Sequence, residues 1–231
     1  MMKWTDSEIA MLTPVLERFE RDLTPLDDKN ILVLCSAGGD VAFWLAKRMK
    51  HGKVTGIELD PQLLEYACQQ AQIQDIQNLV EFYKAEKTRL PFPDCTFDAL
   101  VSEFIVFPTP SPTEIGQPEM ARVLKPGGMM ALTDVIVVKP LPEEVQIAFR
   151  EIGLEYLCQA TCADFLGWMK EAGLVETEVV DLTPVVRQVW EKRRQRISAA
   201  EEPKGFTHLL DDPDFKLGTA IFYIYVRGKK P

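Results

Sequence analysis

The sequence lacks a long apolar run and contains few of the residues that bind metals. No stretch of its 231 residues approaches the roughly 20 consecutive apolar residues of a membrane-spanning helix. The chain also has no basic leader followed by an apolar run and a small-residue cleavage site, which predicts a soluble, cytoplasmic protein. With two histidines and no HExxH-type motif or cluster of carboxylates and histidines, it predicts no metal site.

Cysteine is scarce, and its spacing is not that of a metal or disulfide framework. The five cysteines are an odd number spread over apolar segments, and none forms a CxxC pair. This usage is typical of reduced intracellular thiols, so we expect neither disulfides nor structural zinc. The cysteines are Cys35, Cys68, Cys95, Cys158 and Cys162.

Basic residues are outnumbered by acidic ones, 26 against 35, which gives a formal net charge of −9. Such a charge repels phosphates and argues against a general affinity for nucleic acid. The chain has no internal repeat and no low-complexity linker. Since 46% of its residues are hydrophobic, it can bury a large core, and we expect residues 1–231 to form a single domain.

Predicted strands and helices alternate along most of the chain. This order predicts an α/β fold, with a mostly parallel sheet covered by helices on both faces. Asp60 and Pro61 provide a start signal for the helix after the second strand. The predicted strands cover 31–34, 54–57, 79–83, 97–102, 129–138, 175–182 and 219–226. The predicted helices cover 8–23, 41–49, 61–72, 114–124, 142–156, 163–172 and 185–197.

The stretch "LCSAGGD", residues 34–40, joins the first strand to a helix. In a parallel sheet, ligands bind beyond the carboxyl ends of the strands, so this turn is a candidate site. Gly38 and Gly39 allow a sharp turn and a close approach of the backbone to a ligand, while Asp40 is suited to cap the helix. A tight turn without a ligand is the structural alternative.

Two carboxylates follow the next strands. Glu58 lies about 20 residues beyond the glycine turn, the spacing at which a carboxylate accepts hydrogen bonds from ribose hydroxyls. The alternative for Glu58 is a favourable position near a helix start, which Asp60 would serve better. Glu86 follows the third strand and could accept from an exocyclic adenine amine. Together these positions predict a nucleoside-binding edge.

The segments "GIELDPQLLEYA", "LPFPDCTFDALVS" and "EMARVLKPGGMMALTD" resemble the class I S-adenosylmethionine-dependent methyltransferases. The resemblance covers most of residues 30–138 and lies closest to the small-molecule group with ubiquinone/menaquinone-type and arsenite-type enzymes. It implies a Rossmann-like seven-stranded sheet with an antiparallel last strand, and S-adenosyl-L-methionine as cofactor. The implied cofactor-binding residues are Cys35, Ser36, Ala37, Gly38, Gly39, Asp40, Glu58, Leu59, Ala85, Glu86, Lys87 and Ser102.

The glycine turn departs from the family pattern. Family members usually read like "VLDLGCGTG", whereas this chain has "ILVLCSAGG", with Val33 in place of the aspartate. Cys35 and Ala37 replace two glycines, but both are small, and the loop offers mainly backbone groups to a cofactor. We therefore expect a working methyltransferase. The alternative is a catalytically silent protein that keeps the fold for binding or assembly.

Two residues are candidate catalytic groups. Glu103 ends "DALVSEF" and would lie beside the transferring methyl group, where a carboxylate can take a proton from the acceptor. A structural acid that pairs with a base or caps the loop is its alternative. His208, in "GFTHLLDDPDF", belongs to a possible lid, and a surface histidine is the commoner explanation. His51 is expected to face water.

Elements outside the shared sheet are expected to select a small, apolar or aromatic acceptor. The predicted core is 28–138 with 163–182 and 217–228, and the cover is 1–24, 139–162 and 183–216. Candidate pocket residues are Phe104, Phe107, Tyr156, Trp168 and Trp190, with core packing as the alternative. A basic run in the last predicted helix could attract an anionic substrate, with a solvated helix face as the alternative. The run comprises Arg187, Lys192, Arg193, Arg194 and Arg196.

Cys158 and Cys162 are four residues apart and would share a helix face if this stretch is helical. Arsenite-type relatives bind their substrate through cysteine thiolates, so the pair raises metalloid methylation as a minor alternative. Two core cysteines are the commoner explanation.

Overall fold

A computed structural model of the chain describes residues 13–34, 38–58, 60–84, 89–103, 116–152, 154, 157–197 and 202–231. Within these ranges eight strands and eight helices alternate. The strands are β1 (Asn30–Leu34), β2 (Lys53–Glu58), β3 (Val80–Lys84), β4 (Phe97–Glu103), β5 (Leu124–Val137), β6 (Cys158–Gln159), β7 (Val175–Asp181) and β8 (Ile221–Lys229). The helices are α1 (Thr13–Leu23), α2 (Asp40–Ala46), α3 (Pro61–Ile73), α4 (Gln117–Val123), α5 (Glu143–Glu151), α6 (Cys162–Glu171), α7 (Thr183–Arg194) and α8 (Lys204–Leu210).

The strands form one mixed sheet in the order β3-β2-β1-β4-β5-β8-β7, and β6 adds two residues beside β5. β1 to β5 pair in parallel, while β8 runs antiparallel to both β5 and β7. The predicted Rossmann-like sheet with an antiparallel last strand is therefore confirmed. β6 is an addition, since two residues are too few to produce a periodic sequence signal.

Two apolar layers cover the sheet, because alternate residues of each strand face opposite sides. Val33, Val101 and Ala131 pack on the side of α1, α2, α3, α5, α7 and α8. Leu34, Leu100 and Leu132 pack on the side of α4 and α6. No helix in the described ranges is long and apolar enough to cross a membrane.

Local signals explain several helix starts. The Asp60 side chain caps α3 by accepting the Gln62 N–H at 2.8 Å, and Pro61 occupies the first turn, as predicted. α6 begins with a capping box between Thr161 and Asp164. The segment 204–210, expected to be part of a lid, is the helix α8.

Candidate functional site

The carboxyl ends of β1, β2 and β4 meet at one edge of the sheet. Strand order reverses on the two sides of β1, so this edge is the place where open α/β sheets bind ligands. Leu34, at the end of β1, pairs with Ile57 on one side and with Ser102 on the other. Glu58 and Glu103 each lie one residue beyond those pairs. The register thus brings the ends of β2 and β4 to the two sides of the loop that follows β1.

The glycines of that loop occupy backbone conformations that suit glycine. Gly38 and Gly39 have φ values of 97° and 105°, which L-residues with a side chain rarely adopt. A Cβ at Gly39 would lie 2.5 Å from the Phe43 ring, and one at Gly38 would lie 3.1 Å from the Tyr66 ring. A side chain at either glycine would therefore crowd an aromatic ring, that of Tyr66 or that of Phe43.

Glu58 joins the end of β2 to this turn. Its side chain is only 3% exposed, and Oε1 accepts the Gly38 N–H at 3.1 Å. A buried carboxylate requires such donors, because burial without hydrogen bonds is costly. The two features that the sequence placed 20 residues apart are thus in direct contact.

Asp40 does not cap α2, contrary to the expectation from the sequence. Gly39 occupies the cap position, where it has no side chain to accept a helix N–H, and Asp40 is the first helical residue. A carboxylate in the first turn still interacts favourably with the helix dipole. Asp40 is half-buried beside the glycine turn.

Ser102 and Glu103 end β4. Ser102 is fully buried between Leu34 of β1 and Leu132 of β5, and Glu103 pairs through its backbone with Thr133. The remaining predicted cofactor-binding residues lie outside the described residues. They are Cys35, Ser36, Ala37, Leu59, Ala85, Glu86 and Lys87.

His208 lies in α8. Its Nδ1 lies 2.8 Å from Oδ2 of Asp212, and its ring packs edge-on against Phe149. Burial works to raise the pKa of Asp212, but the His208 bond and backbone N–H donors lower it overall. The structure thus gives His208 a structural partner. A catalytic role for it stays a prediction.

The segments that carry the methyltransferase resemblance are joined by an arginine. Arg122 of α4 donates to Glu119 and to the Leu90 and Phe92 carbonyl oxygens, and it pairs with Asp94 at 2.7 Å. These contacts fix the "LPFPD" segment against "EMARV". This part of the pattern therefore has a structural role, which is to join α4 to the segment before β4.

Sequence reasoning missed two buried polar residues near the same edge. Asp134 of β5 is 6% exposed, and burial raises its pKa to about 8, although the Val135 N–H works against that shift. Gln117, the first residue of α4, is 1% exposed, and neither end of its side-chain amide has a hydrogen-bond partner among the residues that the structure describes. In the sequence, Asp134 could have been found as an acidic residue within the apolar run "MMALTDVIVV". No sequence pattern indicates that Gln117 is buried.

Cys158 and Cys162 do not share a helix face. Cys158 belongs to β6, whereas Cys162 begins α6 after the Thr161 cap, because the capping box starts the helix between them. Burial raises the pKa of Cys158 to about 11, and the charges of Asp134 and Asp164 add to it. The pKa of Cys162 is raised as well, first by burial. Both thiols are thus held in the protonated form, which is a poor ligand.

The basic run of α7 fastens neighbouring segments. Arg187 donates to the Leu210 carbonyl at 2.8 Å, and Arg194 forms ion pairs with Glu202 and Asp211. Arg187 and Arg194 therefore form neither an anion-attracting surface nor a freely solvated helix face, because both side chains bind neighbouring parts of the chain. In the described part of the chain, no group of three or more histidine, cysteine, aspartate or glutamate side chains could hold a metal ion.

The family described as "Methyltransferase domain" matches residues 31–128. The 27-O-demethylrifamycin SV methyltransferase of Amycolatopsis mediterranei is 29% identical over 152 residues, which cover 64% of this chain and 55% of that protein. The arsenite methyltransferase of Halobacterium salinarum is 28% identical over 157 residues, or 68% of this chain and 39% of that protein. The matches thus span about half or less of these two relatives.

Among solved structures, the geranyl diphosphate C-methyltransferase from Streptomyces coelicolor has the same fold. Its TM-score is 0.75 at 16% identity, and the match covers 100% of this chain and 86% of that one. Together, these comparisons show that residues 31–128 match a methyltransferase domain and that the strand order is that of the Rossmann-like methyltransferase fold.

Proposed function

We propose that the protein binds S-adenosyl-L-methionine at the ends of β1, β2 and β4 and transfers its methyl group to a small molecule. The observation that carries this proposal is the buried Glu58 carboxylate bonded to the glycine turn. A carboxylate is the group that accepts hydrogen bonds from both hydroxyls of a ribose.

The residues at this edge fit the cofactor. Backbone N–H and C=O groups of the glycine turn suit the polar methionine end, since they do not depend on side-chain identity. Glu58 would hold the ribose, and Ser102, Leu59 and the segment 85–87 would border the rest. S-adenosylmethionine supplies an activated methyl group on a sulfonium, so the protein has little covalent chemistry to perform.

The tasks left for this chain are therefore binding, alignment and exclusion of water. Glu103 is the first candidate for a proton acceptor, because the register places it at the end of β4, level with Glu58 beside the loop after β1. A base is needed only where the acceptor loses a proton. We rank His208 below Glu103, because its ring nitrogen already pairs with Asp212.

The acceptor is proposed to be a small molecule held under the cover elements of one domain. The acidic chain gives nucleic acid little to bind. An apolar or aromatic acceptor stays a prediction. Of its expected pocket residues, Trp190 is buried against Phe206 and Trp168 packs against Phe165, while the other three lie outside the described residues.

A catalytically silent scaffold is the second candidate. Val33 favours it, because this residue is fully buried in the apolar layer and offers no acceptor where the family has an aspartate. Metalloid methylation has less support, since the two candidate thiols are held in the protonated form.

Two measurements test the proposal. Calorimetry should show saturable binding of S-adenosylhomocysteine to the native protein; no binding would favour the silent scaffold. Methyl-labelled cofactor should then be offered with a small-metabolite extract, with protein, and with RNA or DNA. Label should appear in the metabolite extract, with or without chelator. Label chiefly in protein or nucleic acid would contradict a small-molecule acceptor.

A further inference from the structure

Among the described residues, β5 extends beyond its pairing with β4 beside the proposed methyl-transfer edge. β4 pairs with β5 as far as Glu103 and Thr133, and β6 pairs with β5 from Ile136 onward. Asp134 falls between these two pairings, one residue after Thr133. On the other edge of β5, Asp134 pairs with Ile224 of β8. The Asp134 position is therefore next to the carboxyl end of β4.

Asp134 faces the layer under α4 and α6. Leu132 and Ile136, two residues to either side, pack in that layer, and alternate residues of a strand share a face. The charge of Asp134 also raises the pKa of Cys158, after burial itself, so the two groups are close. In the described part of the chain, Asp134 accepts one hydrogen bond, from the Val135 N–H at 2.7 Å.

Gln117 reaches the same layer from α4. Met120 and Ala121, three and four residues further along the helix, pack there, and this spacing puts them on the same helix side as Gln117. α4 follows β4 and runs back to the start of β5, so its first residue lies toward the carboxyl edge. Gln117 and Asp134 thus occupy one face at one edge of the sheet.

Buried polar groups without partners are costly and rare, so those that persist call for a ligand or another role. Within the described part of the chain, the amide nitrogen and the amide oxygen of Gln117 are both unpartnered at 1% exposure. We propose that Gln117 and Asp134 form a polar pair that binds the methyl acceptor. This inference rests on the proposed function and deepens it by specifying the class of acceptor.

The pair selects an acceptor by hydrogen bonding. A carboxamide donates and accepts, and a buried carboxyl that keeps its proton does the same. The acceptor therefore carries a hydroxyl, an amine or a carbonyl beside its reacting atom, while the neighbouring apolar layer suits a hydrocarbon body. A site of this kind rejects an analogue that lacks the polar group.

Thermal unfolding without any ligand tests whether the Gln117 side chain is held unsatisfied. Gln117→Leu removes two unpartnered atoms at similar volume and should raise Tm by about 2–4 °C. The matched control is Gln146→Leu, because Gln146 donates to the Leu141 carbonyl at 2.8 Å, and its loss should lower Tm or leave it unchanged. A fall in Tm for Gln117→Leu beyond that of the control would overturn the proposal.

Binding of two probes tests the acceptor class. With S-adenosylhomocysteine present, phenol should bind the native protein about tenfold more tightly than toluene, which has the same shape without the hydroxyl. The preference should disappear in Gln117→Leu and in Asp134→Leu, with Asp134→Asn as a second variant should the leucine variant not fold. Equal binding of the two probes to the native protein, or none at all, would contradict the polar pair.

Cofactor affinity separates this inference from the proposed function. Gln117→Leu should bind S-adenosylhomocysteine as the native protein does, because neither proposed residue belongs to the glycine turn or to Glu58. Failure of the native protein to bind it would refute the proposed function. The ligand-free Tm comparison would still decide whether Gln117 is held unsatisfied.

Discussion

Replacing Glu58 with glutamine separates a cofactor ligand from a structural acid. The substitution keeps the size of the side chain and an oxygen that can accept the Gly38 N–H, now 3.1 Å from Oε1. It removes the negative charge and one acceptor oxygen. The glycine turn should therefore keep its main contact, while ribose hydroxyls lose a charged partner.

The expected loss follows from the hydrogen bonds concerned. A bond to a charged group contributes about 1.5–3 kcal/mol and a neutral one about 0.5–1.5 kcal/mol. For one or two ribose hydroxyls, Glu58→Gln should weaken S-adenosylhomocysteine binding by about 1–3 kcal/mol, or about 5- to 150-fold. The free energy of unfolding should change by less than about 1 kcal/mol.

Isothermal titration calorimetry with S-adenosylhomocysteine measures the affinity, and urea denaturation measures the stability. Glu81→Gln is the matched control, because Glu81 accepts the Thr55 hydroxyl at 3.2 Å on the neighbouring strand β3. That variant should bind the cofactor normally. If Glu58→Gln keeps full affinity while losing several kcal/mol of stability, Glu58 serves only to hold the turn, and the assignment of the ribose site is refuted.

Three further predictions concern stability. Gly39→Ala places a Cβ against the Phe43 ring at a φ of 105° and should cost at least about 1 kcal/mol in urea denaturation; an unchanged midpoint would refute the strain. Tyr225→Phe removes a 2.6 Å hydrogen bond to Asp22 and should cost about 1.5–3 kcal/mol, which a thermal unfolding curve would show or disprove. Burial raises the pKa of Asp134 from 3.8 to about 8, so its contribution to stability is complete below 3.8 and is lost as pH rises through 8. The Asp134→Asn variant should therefore gain stability over the native protein across that interval, and parallel pH profiles would contradict this.

Local signals in the sequence determined most of the secondary structure and the resemblance to methyltransferases. Apolar runs predicted seven strands, each of which overlaps a strand of the structure. For the central strands the reason is that a strand buried on both faces needs apolar residues throughout. The start of α3 at Asp60 and Pro61 was also predicted from the sequence, because the Asp60 cap and the fixed φ of Pro61 both act within one helical turn. The spacing of the glycine turn and Glu58 marked the edge where the structure brings them into contact.

Tertiary structure decided where isolated polar residues go. β6 is too short to produce a periodic sequence pattern. The sequence predicted α8 as part of a lid, whereas the structure packs this helix on α5 and α7. A helix this short is stabilised mainly by such packing, which a local pattern does not record. From the sequence, the basic run of α7 predicts a charged surface. Arg194 forms ion pairs with Glu202 and Asp211 only because the chain folds back and brings these residues together. Asp134 and Gln117 lie 17 residues apart in the sequence, and nothing local relates them. Which polar groups meet depends on strand register and helix packing, whereas hydrophobic periodicity records only that one side of an element is buried.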